Sequence, residues 1–244
     1  MGDFSLKIVD YWHQIFSEGS IIASGDGLSI TVNATLSNER QAMLLEFTNG
    51  QSLAAVTPYL ANRMVIHGAQ NISKQELRHR LADIGAPLHD PDFIFYLPDK
   101  EPLERTAKRV AECRQLSGAD CAAFNLFQAA APEQDLDDAY VELDHWAVFG
   151  SFEDDRLVSA ASMYPWGNAS IADLGVLTLP EFRGMGYART VVDAISQFAR
   201  HQGFEPQYRC QLDNEASVAL AKASGFSLFA KWEVSSSTLD GDAS

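Results

Sequence analysis

Basic residues are scarce in this sequence. Its 244 residues include 18 Lys and Arg against 33 Asp and Glu, which gives a formal net charge of −15 at pH 7. A general nucleic-acid-binding protein needs a basic face, so this class is not expected. The acidic excess favours a neutral or cationic small-molecule partner over an anionic one, although solubility alone explains the charge equally well.

Cysteine is also rare, and Cys113, Cys121 and Cys210 lie far apart in the chain. Three cysteines cannot all pair, and their spacing matches no metal site. Reduced thiols in a cytoplasmic protein without a metal are the simple interpretation.

Long apolar runs are absent as well. No stretch of about 18 apolar residues occurs, so no membrane-spanning helix is expected. The first residues lack the basic and then apolar pattern of an export signal, so export is not expected. Leu6 stands where the N-myristoylation pattern requires Ser or Thr, and the pattern is therefore not met.

One stretch, residues 174–220, carries the strongest pattern in the chain. It begins with a buried strand at 174–178, continues through a turn with Gly184 and Gly186, and enters a helix that ends near Gly203. The helix has apolar residues three or four positions apart, at Ala188, Val191, Val192, Ile195, Phe198 and Ala199.

A strand, a glycine-rich turn and a helix in this order are typical of a phosphate-binding site. Unpaired N–H groups at the start of a helix point toward the ligand, and the helix dipole adds partial positive charge. Glycine lets the main chain approach the ligand, and Arg183 offers a guanidinium to a phosphate oxygen. A tight turn that binds no ligand is the alternative.

The spacing of the turn distinguishes between phosphate-binding motifs. Arg189 stands where the dinucleotide motif G-x-G-x-x-G needs its third glycine, and the Walker sequence does not occur. The turn instead fits R-x-x-G-x-A through Arg183, Gly186 and Ala188. It resembles the acyl-CoA loop of the GNAT superfamily of N-acyltransferases. The longer string from Thr178 to Ala188 resembles the glycine N-acyltransferase-like branch.

The resemblance extends past the loop, because N-x-x-S at Asn214–Ser217 and the later Gly225-Phe226 are similar to the second CoA-side helix of GNAT proteins. It implies acetyl-CoA as the acyl-donor co-substrate. Asn214 is explained equally well as a helix N-cap, and Tyr187 as a packed side chain. The implied cofactor-binding residues include backbone groups of Leu177 to Leu179 for the pantetheine arm; they are Leu177, Thr178, Leu179, Arg183, Gly184, Met185, Gly186, Tyr187, Ala188, Asn214 and Ser217.

Acyl transfer to an amine needs a neutral amine, a stabilised oxyanion and a proton donor for the leaving thiolate. Many GNAT proteins use a Tyr as that donor, but Ala221 stands at its position here. Ser217 and Ser224 are nearby hydroxyl groups, and Ser217 is the predicted donor. Asp173, at the start of the central strand, is the predicted base, unless its side chain points away from the cleft. Attack by an already neutral amine without a base stays open.

His145, together with Glu142 and Asp144, lies where GNAT proteins often gather acceptor-side residues. A histidine at a strand edge is also a common structural residue. Both interpretations stay open for this segment.

The predicted elements from Val110 onward follow the order strand, helix, helix, three strands, helix, strand, helix, strand. This order matches GNAT proteins. The predicted fold class is therefore α+β (mixed α/β), with a GNAT fold at 107–236 and a smaller α/β domain at 1–100. By analogy with the glycine N-acyltransferase-like branch, the smaller domain is a candidate degenerate GNAT copy. A linker is expected at 99–106 and a flexible tail at 237–244.

The sequence thus predicts a cytoplasmic, acetyl-CoA-dependent N-acetyltransferase that acts on a primary amine of a small molecule or amino acid. No metal, nucleic-acid or membrane partner is expected, and monomer and homodimer both stay open. The alternative is a non-catalytic acyl-CoA-binding or interaction protein that has lost its proton donor. A nucleotide-binding module is disfavoured by the loop spacing.

Overall fold

The computed structural model describes residues 4–25, 27–64, 72–99 and 112–235. The predicted tail, and the predicted linker beyond Asp99, lie outside these residues.

Strands and short helices alternate through the described chain. The strands are β1 (Ser20–Gly25), β2 (Leu28–Val32), β3 (Ala42–Phe47), β4 (Ser52–Val56), β5 (Asp92–Tyr96), β6 (Glu112–Gln115), β7 (Ala147–Glu153), β8 (Arg156–Pro165), β9 (Ile171–Thr178), β10 (Glu205–Gln211) and β11 (Ser227–Val234). The helices are α1 (Leu6–Ser17), α2 (Pro58–Met64), α3 (Lys74–Asp83), α4 (Cys121–Ala130), α5 (Glu133–Ala139), α6 (Tyr187–His201) and α7 (Glu215–Ala223).

The predicted order of elements in the second half is confirmed, from β6 through α4, α5, β7, β8, β9, α6, β10 and α7 to β11. One helix is displaced. The sequence pattern after Pro132 predicts this helix, α5, at 136–143, and it lies at Glu133–Ala139. Pro132 occupies its N-cap, and Tyr140, at φ 46°, ends it in the left-handed conformation.

The chain divides into two compact units that interleave in sequence. The first unit comprises Met1–Ile8, Phe95–Arg209 and Asn214–Ser227, and the second comprises Val9–Ile94, Cys210–Asp213 and Leu228–Ser244. The predicted domains 1–100 and 107–236 differ from these units at both ends of the chain. At the C-terminal end, β11 belongs to the second unit because it pairs antiparallel with β3.

The second unit contains strands in the order β1-β2-β4-β3-β11. β1 and β2 form an antiparallel hairpin, and β2 runs parallel to β4. The guanidinium of Arg78 holds the buried carboxylate of Glu233 through two hydrogen bonds of 2.8 and 2.6 Å. That this unit is a degenerate GNAT copy stays a prediction.

The first unit contains the strand order β10-β9-β8-β7-β6. Only β9 and β10 are parallel in this series. Helices cover both faces of β7, because Val148 belongs to the core with Phe124 and Phe127 of α4, whereas Phe149 contacts Phe198 of α6. These layers fix α5 on one face of β9 and α6 on the other.

The end of α5 lies directly on β9 at Gly175. A Cβ atom at this position would lie 2.1 Å from the carbonyl oxygen of Ala139, which is far inside van der Waals contact. The absence of a side chain at Gly175 therefore allows α5 to approach the central strand.

Among the residues that the structure describes, no helix is long and apolar enough to cross a membrane.

We expect Gly175→Ala to lower the free energy of unfolding by about 1–3 kcal/mol, because the new methyl group must displace the backbone of α5. Gly118→Ala is the matched control, since a Cβ at Gly118 meets no atom within 4 Å. Urea denaturation followed by circular dichroism measures both variants. Equal stability of the two variants would contradict this description of the contact.

Candidate active site

The central strand β9 parts from β10 halfway along its length. The last paired residues are Leu174 on β9 and Tyr208 on β10. β9 continues to Thr178 and stays paired with β8 over that distance, up to the pair Ser159–Thr178. A gap therefore opens beside β9 at Gly175.

The backbone on the open side of β9 belongs to Val176 and Thr178. Leu179 donates its N–H to Val158 O at 3.0 Å, and Leu177 O accepts from Ser159 Oγ at 3.1 Å, so odd-numbered residues turn toward β8. Successive residues of a strand turn their N–H and C=O groups to opposite sides, so Val176 turns both of its groups toward the gap. The backbone groups of Leu177 and Leu179, which were predicted to bind a ligand, thus face β8, whereas those of Val176 face the gap.

The gap leads to the start of α6. A 3₁₀ turn at Pro180–Phe182 follows the strand, and Gly184 and Gly186 adopt φ of 75° and 92°. These left-handed conformations are favourable for glycine and let the chain turn directly into the helix. The first N–H groups of α6, from Tyr187 onward, have no partner within the helix and face the turn.

A cavity of about 580 Å³ follows the gap from Gly175 to this turn. The predicted residues that line it are Leu177, Thr178, Arg183, Gly184, Gly186, Tyr187, Ala188, Asn214 and Ser217. Two predicted residues do not line it: Leu179 is fully buried, and Met185 is 53% exposed.

Residues 121–226 match the model of the acetyltransferase (GNAT) family. The chain therefore carries a GNAT domain. A 63-residue part is 32% identical to the uncharacterized N-acetyltransferase YdfB of Bacillus subtilis, and the match covers 26% of this chain and 24% of that protein. A GNAT-family acetyltransferase of Colwellia psychrerythraea has a similar fold, with a TM-score of 0.51, 18% identity and 84% of each chain covered.

Arg183 of the GNAT domain is engaged by an acidic helix. Its guanidinium lies 2.5 Å from the Asp135 carboxylate of α5 and donates from Nε to Thr178 O at 3.2 Å. Arg183 is 51% exposed and Asp135 is 29% exposed. An anion at the turn therefore competes with Asp135 for this arginine.

Two other predicted residues have structural partners. Asn214 Oδ1 accepts the N–H of Ser217 at 3.0 Å and caps α7. The hydroxyl of Tyr187 donates to Glu153 at 2.5 Å, so its side chain is held beneath the turn. Because the hydroxyl of Tyr187 is bound to Glu153, its backbone N–H is the polar group that it can offer to the site.

Asp173 lies on β9 before the gap and is 4% exposed. Its carboxylate accepts hydrogen bonds from Gln207 at 2.8 Å and Tyr164 at 3.0 Å, and Arg209 contacts both of its oxygens at 2.7 to 3.2 Å. Burial and Asp173 raise the pKa of Tyr164 to about 12. The Asp173 carboxylate thus joins Gln207, Tyr164 and Arg209 in one hydrogen-bonded network. These contacts do not support its predicted role as a base.

The predicted proton-donor region of α7 offers one hydroxyl to the cavity. Ala221 is fully buried, so the position of the usual Tyr does not reach the cavity. Ser217 lines the cavity, whereas Ser224 is buried and does not. The role of Ser217 as a proton donor stays a prediction.

The cavity wall also contains residues that were not predicted from the sequence, among them Val176, Asp135, Asp138 and Arg209. Strand alternation from Thr178 was the signal that could have identified Val176. Asp135 had no such signal, because it comes 48 residues before Arg183 in the chain.

In the part of the chain that the structure describes, no cluster of His, Cys, Asp and Glu could hold a metal ion.

We expect Asp135→Asn to strengthen acetyl-CoA binding about twofold to fivefold, because it frees Arg183 from a half-exposed ion pair. Asp138→Asn is the matched control: it removes the same charge from the same cavity wall without touching Arg183. Calorimetric titration measures both. Weaker binding by Asp135→Asn would mean that Asp135 positions Arg183 rather than competing for it.

Proposed function

We propose that this protein is an acetyl-CoA-dependent N-acetyltransferase that acts on a primary amine of a small molecule or amino acid. The observation that carries the proposal is the gap between β9 and β10, which leads without interruption to the start of α6. The GNAT match covers this whole region.

The residues of the cavity fit the parts of acetyl-CoA. The unpaired N–H and C=O of Val176 suit the amides of the pantetheine arm, which lies beside the strand as another strand would. The N–H groups at the start of α6, with Arg183 and Arg189, suit the pyrophosphate. The acyl end then lies near Gly175, where the strands part.

The acceptor reaches the acyl end from the side of α5. Asp138 and Ala139 of this helix line the cavity there. Acidic residues beside the entrance favour a protonated amine over an anion during encounter. The finer assignment to the glycine N-acyltransferase-like branch rests on the string from Thr178 to Ala188.

A non-catalytic acyl-CoA-binding protein is the second candidate, and the buried Ala221 favours it. A protein of this kind binds acetyl-CoA and transfers nothing. A screen of primary amines, with free CoA thiol as the readout, separates the two candidates.

We expect micromolar acetyl-CoA binding, which corresponds to about −8 kcal/mol. Gly186→Trp should abolish it, because the indole occupies the space in front of the α6 N–H groups. Gly203→Trp is the matched control: it places the same side chain on a glycine with φ 84°, against 92° at Gly186, at the far end of the same helix. Arg183→Ala should weaken binding about tenfold.

Calorimetry measures all four proteins. Absence of acetyl-CoA binding by the unmodified protein would overturn the proposal. Equal loss in the two tryptophan variants would show that backbone strain, rather than occupation of the site, causes the effect. Binding without turnover of any amine would select the non-catalytic candidate.

A further inference from the structure

We infer that Arg209 binds the carboxylate of an amino-acid acceptor and that Asp173 positions its guanidinium. The inference rests on the function proposed above and narrows it, since amines without an acidic group are then poor acceptors. The observation that carries it is a fixed guanidinium in the wall of the cavity, beside the point where β9 and β10 part.

Arg209 stands at the first position of β10 along the gap, because it follows Tyr208, the last residue paired with β9. Side chains alternate along a strand, so Asp173 and Gly175 of β9 project from the same face of the sheet. This is the face that α5 covers, because a Cβ at Gly175 would point at the carbonyl oxygen of Ala139. The guanidinium of Arg209 binds Asp173 and therefore lies on the α5 face as well.

Two kinds of contact hold this guanidinium. Its Nε and Nη2 donate to the Asp173 carboxylate at 2.7 to 3.2 Å, and its central carbon lies 4.8 Å from the centroid of the Trp166 ring. The side chain of Arg209 is 25% exposed and lines the cavity. A guanidinium carries five N–H donors in a planar fork and can bind a second carboxylate while it stays on the first.

The carboxylate that holds Arg209 is itself fixed. Asp173 is 4% exposed and accepts from Gln207 at 2.8 Å and from Tyr164 at 3.0 Å. The fully buried side chain of Gln207 accepts in turn from the hydroxyl of Tyr96. Buried ion pairs stabilise a fold little compared with apolar residues of the same size. Orientation of the guanidinium toward a ligand therefore explains this network better than stability does.

An amino acid carries an ammonium and a carboxylate, and the cavity wall offers a partner for each. Asp138 lines the cavity from the end of α5 that covers Gly175. Arg209 lines it from β10, on the other side of the gap. A zwitterion has no net charge, so the acidic protein does not repel it, and it gains from both groups.

The other charged groups considered for the site lie elsewhere. Arg183 lies in the turn before α6 and Arg189 in the first turn of that helix, where they suit the pyrophosphate. His145 does not line the cavity, and its Nδ1 lies 2.8 Å from Ser162 Oγ. Among the residues that the structure describes, Arg209 is thus the cation of the cavity wall at the end where the strands part.

A panel of α-amino acids, each compared with its amide, tests the inference on the unmodified protein. The amide keeps the amine and lacks the carboxylate. With the release of CoA thiol expressed per neutral amine, we expect the best amino acid to exceed its amide by about tenfold to 100-fold in kcat/KM. The difference should lie mainly in KM, because charge-assisted hydrogen bonds contribute to binding on this scale.

Arg209→Gln should lower kcat/KM about tenfold to 100-fold for the amino acid and far less for the amide. Arg114→Gln is the matched control and should keep the preference. Arg114 is also paired with an aspartate, Asp120 at 2.6 Å, and lies 4.5 Å from the centroid of the Phe152 ring, but it does not line the cavity.

Two further variants separate positioning from folding. Arg209→Gln leaves the buried Asp173 carboxylate without its guanidinium, whereas the double variant with Asp173→Asn removes both charges together. Asp173→Asn alone keeps the guanidinium but no longer orients it, so it should raise KM for the amino acid more than for the amide. A purely structural role of Asp173 would affect both acceptors equally. Calorimetric titration with acetyl-CoA shows which variants keep the cofactor site.

Two outcomes would overturn the inference while the proposed function stands. One is an unmodified protein that acetylates the amides as well as the amino acids, a comparison that does not depend on the folding of any variant. The other is a double variant that keeps the preference for the amino acid. If the unmodified protein binds acetyl-CoA but acetylates no amine, the proposed function fails and this inference fails with it.

Discussion

The parting of two parallel strands is the constraint on which the candidate site depends. β9 is paired with β8 from Ala172 to Thr178 and with β10 only as far as Leu174. The backbone N–H and C=O of Val176 therefore face a cavity of about 580 Å³, with no strand paired on that side. Unpaired backbone groups at a semi-buried edge are costly unless something binds them, so this edge suits an extended polar ligand.

Nearby charges, rather than the net charge of the chain, determine the electrostatic potential at the α6 end of this cavity. The chain carries −15 overall, yet this end of the cavity combines the N-terminus of α6 with Arg183 of the preceding turn and Arg189 of the first helical turn. Exposed charges are screened beyond about 8–10 Å, so distant carboxylates contribute little there. Asp135 and Asp193 are the exceptions, because their carboxylates lie 2.5 and 3.7 Å from the guanidinium groups of Arg183 and Arg189. The affinity for a bound anion then depends on how well it competes with the Asp135 carboxylate for the guanidinium of Arg183.

Local sequence patterns were sufficient to predict most helices and strands of the first unit and the glycine-rich turn before α6. The R-x-x-G-x-A spacing located the turn, and the helical period located α6. Contacts made across the fold were not predictable in this way. The Arg183–Asp135 pair joins residues 48 positions apart, and Asp173 became part of an ion pair only through the β9–β10 register.

Amide hydrogen exchange at Val176 tests the central claim most directly. If its N–H faces an empty gap, it should exchange rapidly in the free protein and become protected when acetyl-CoA binds. The amide of Leu177 is an internal control, because it faces β8 and should be protected in both states. Protection of Val176 in the free protein, or no change on adding acetyl-CoA, would contradict the assignment of this gap as the acyl-CoA site.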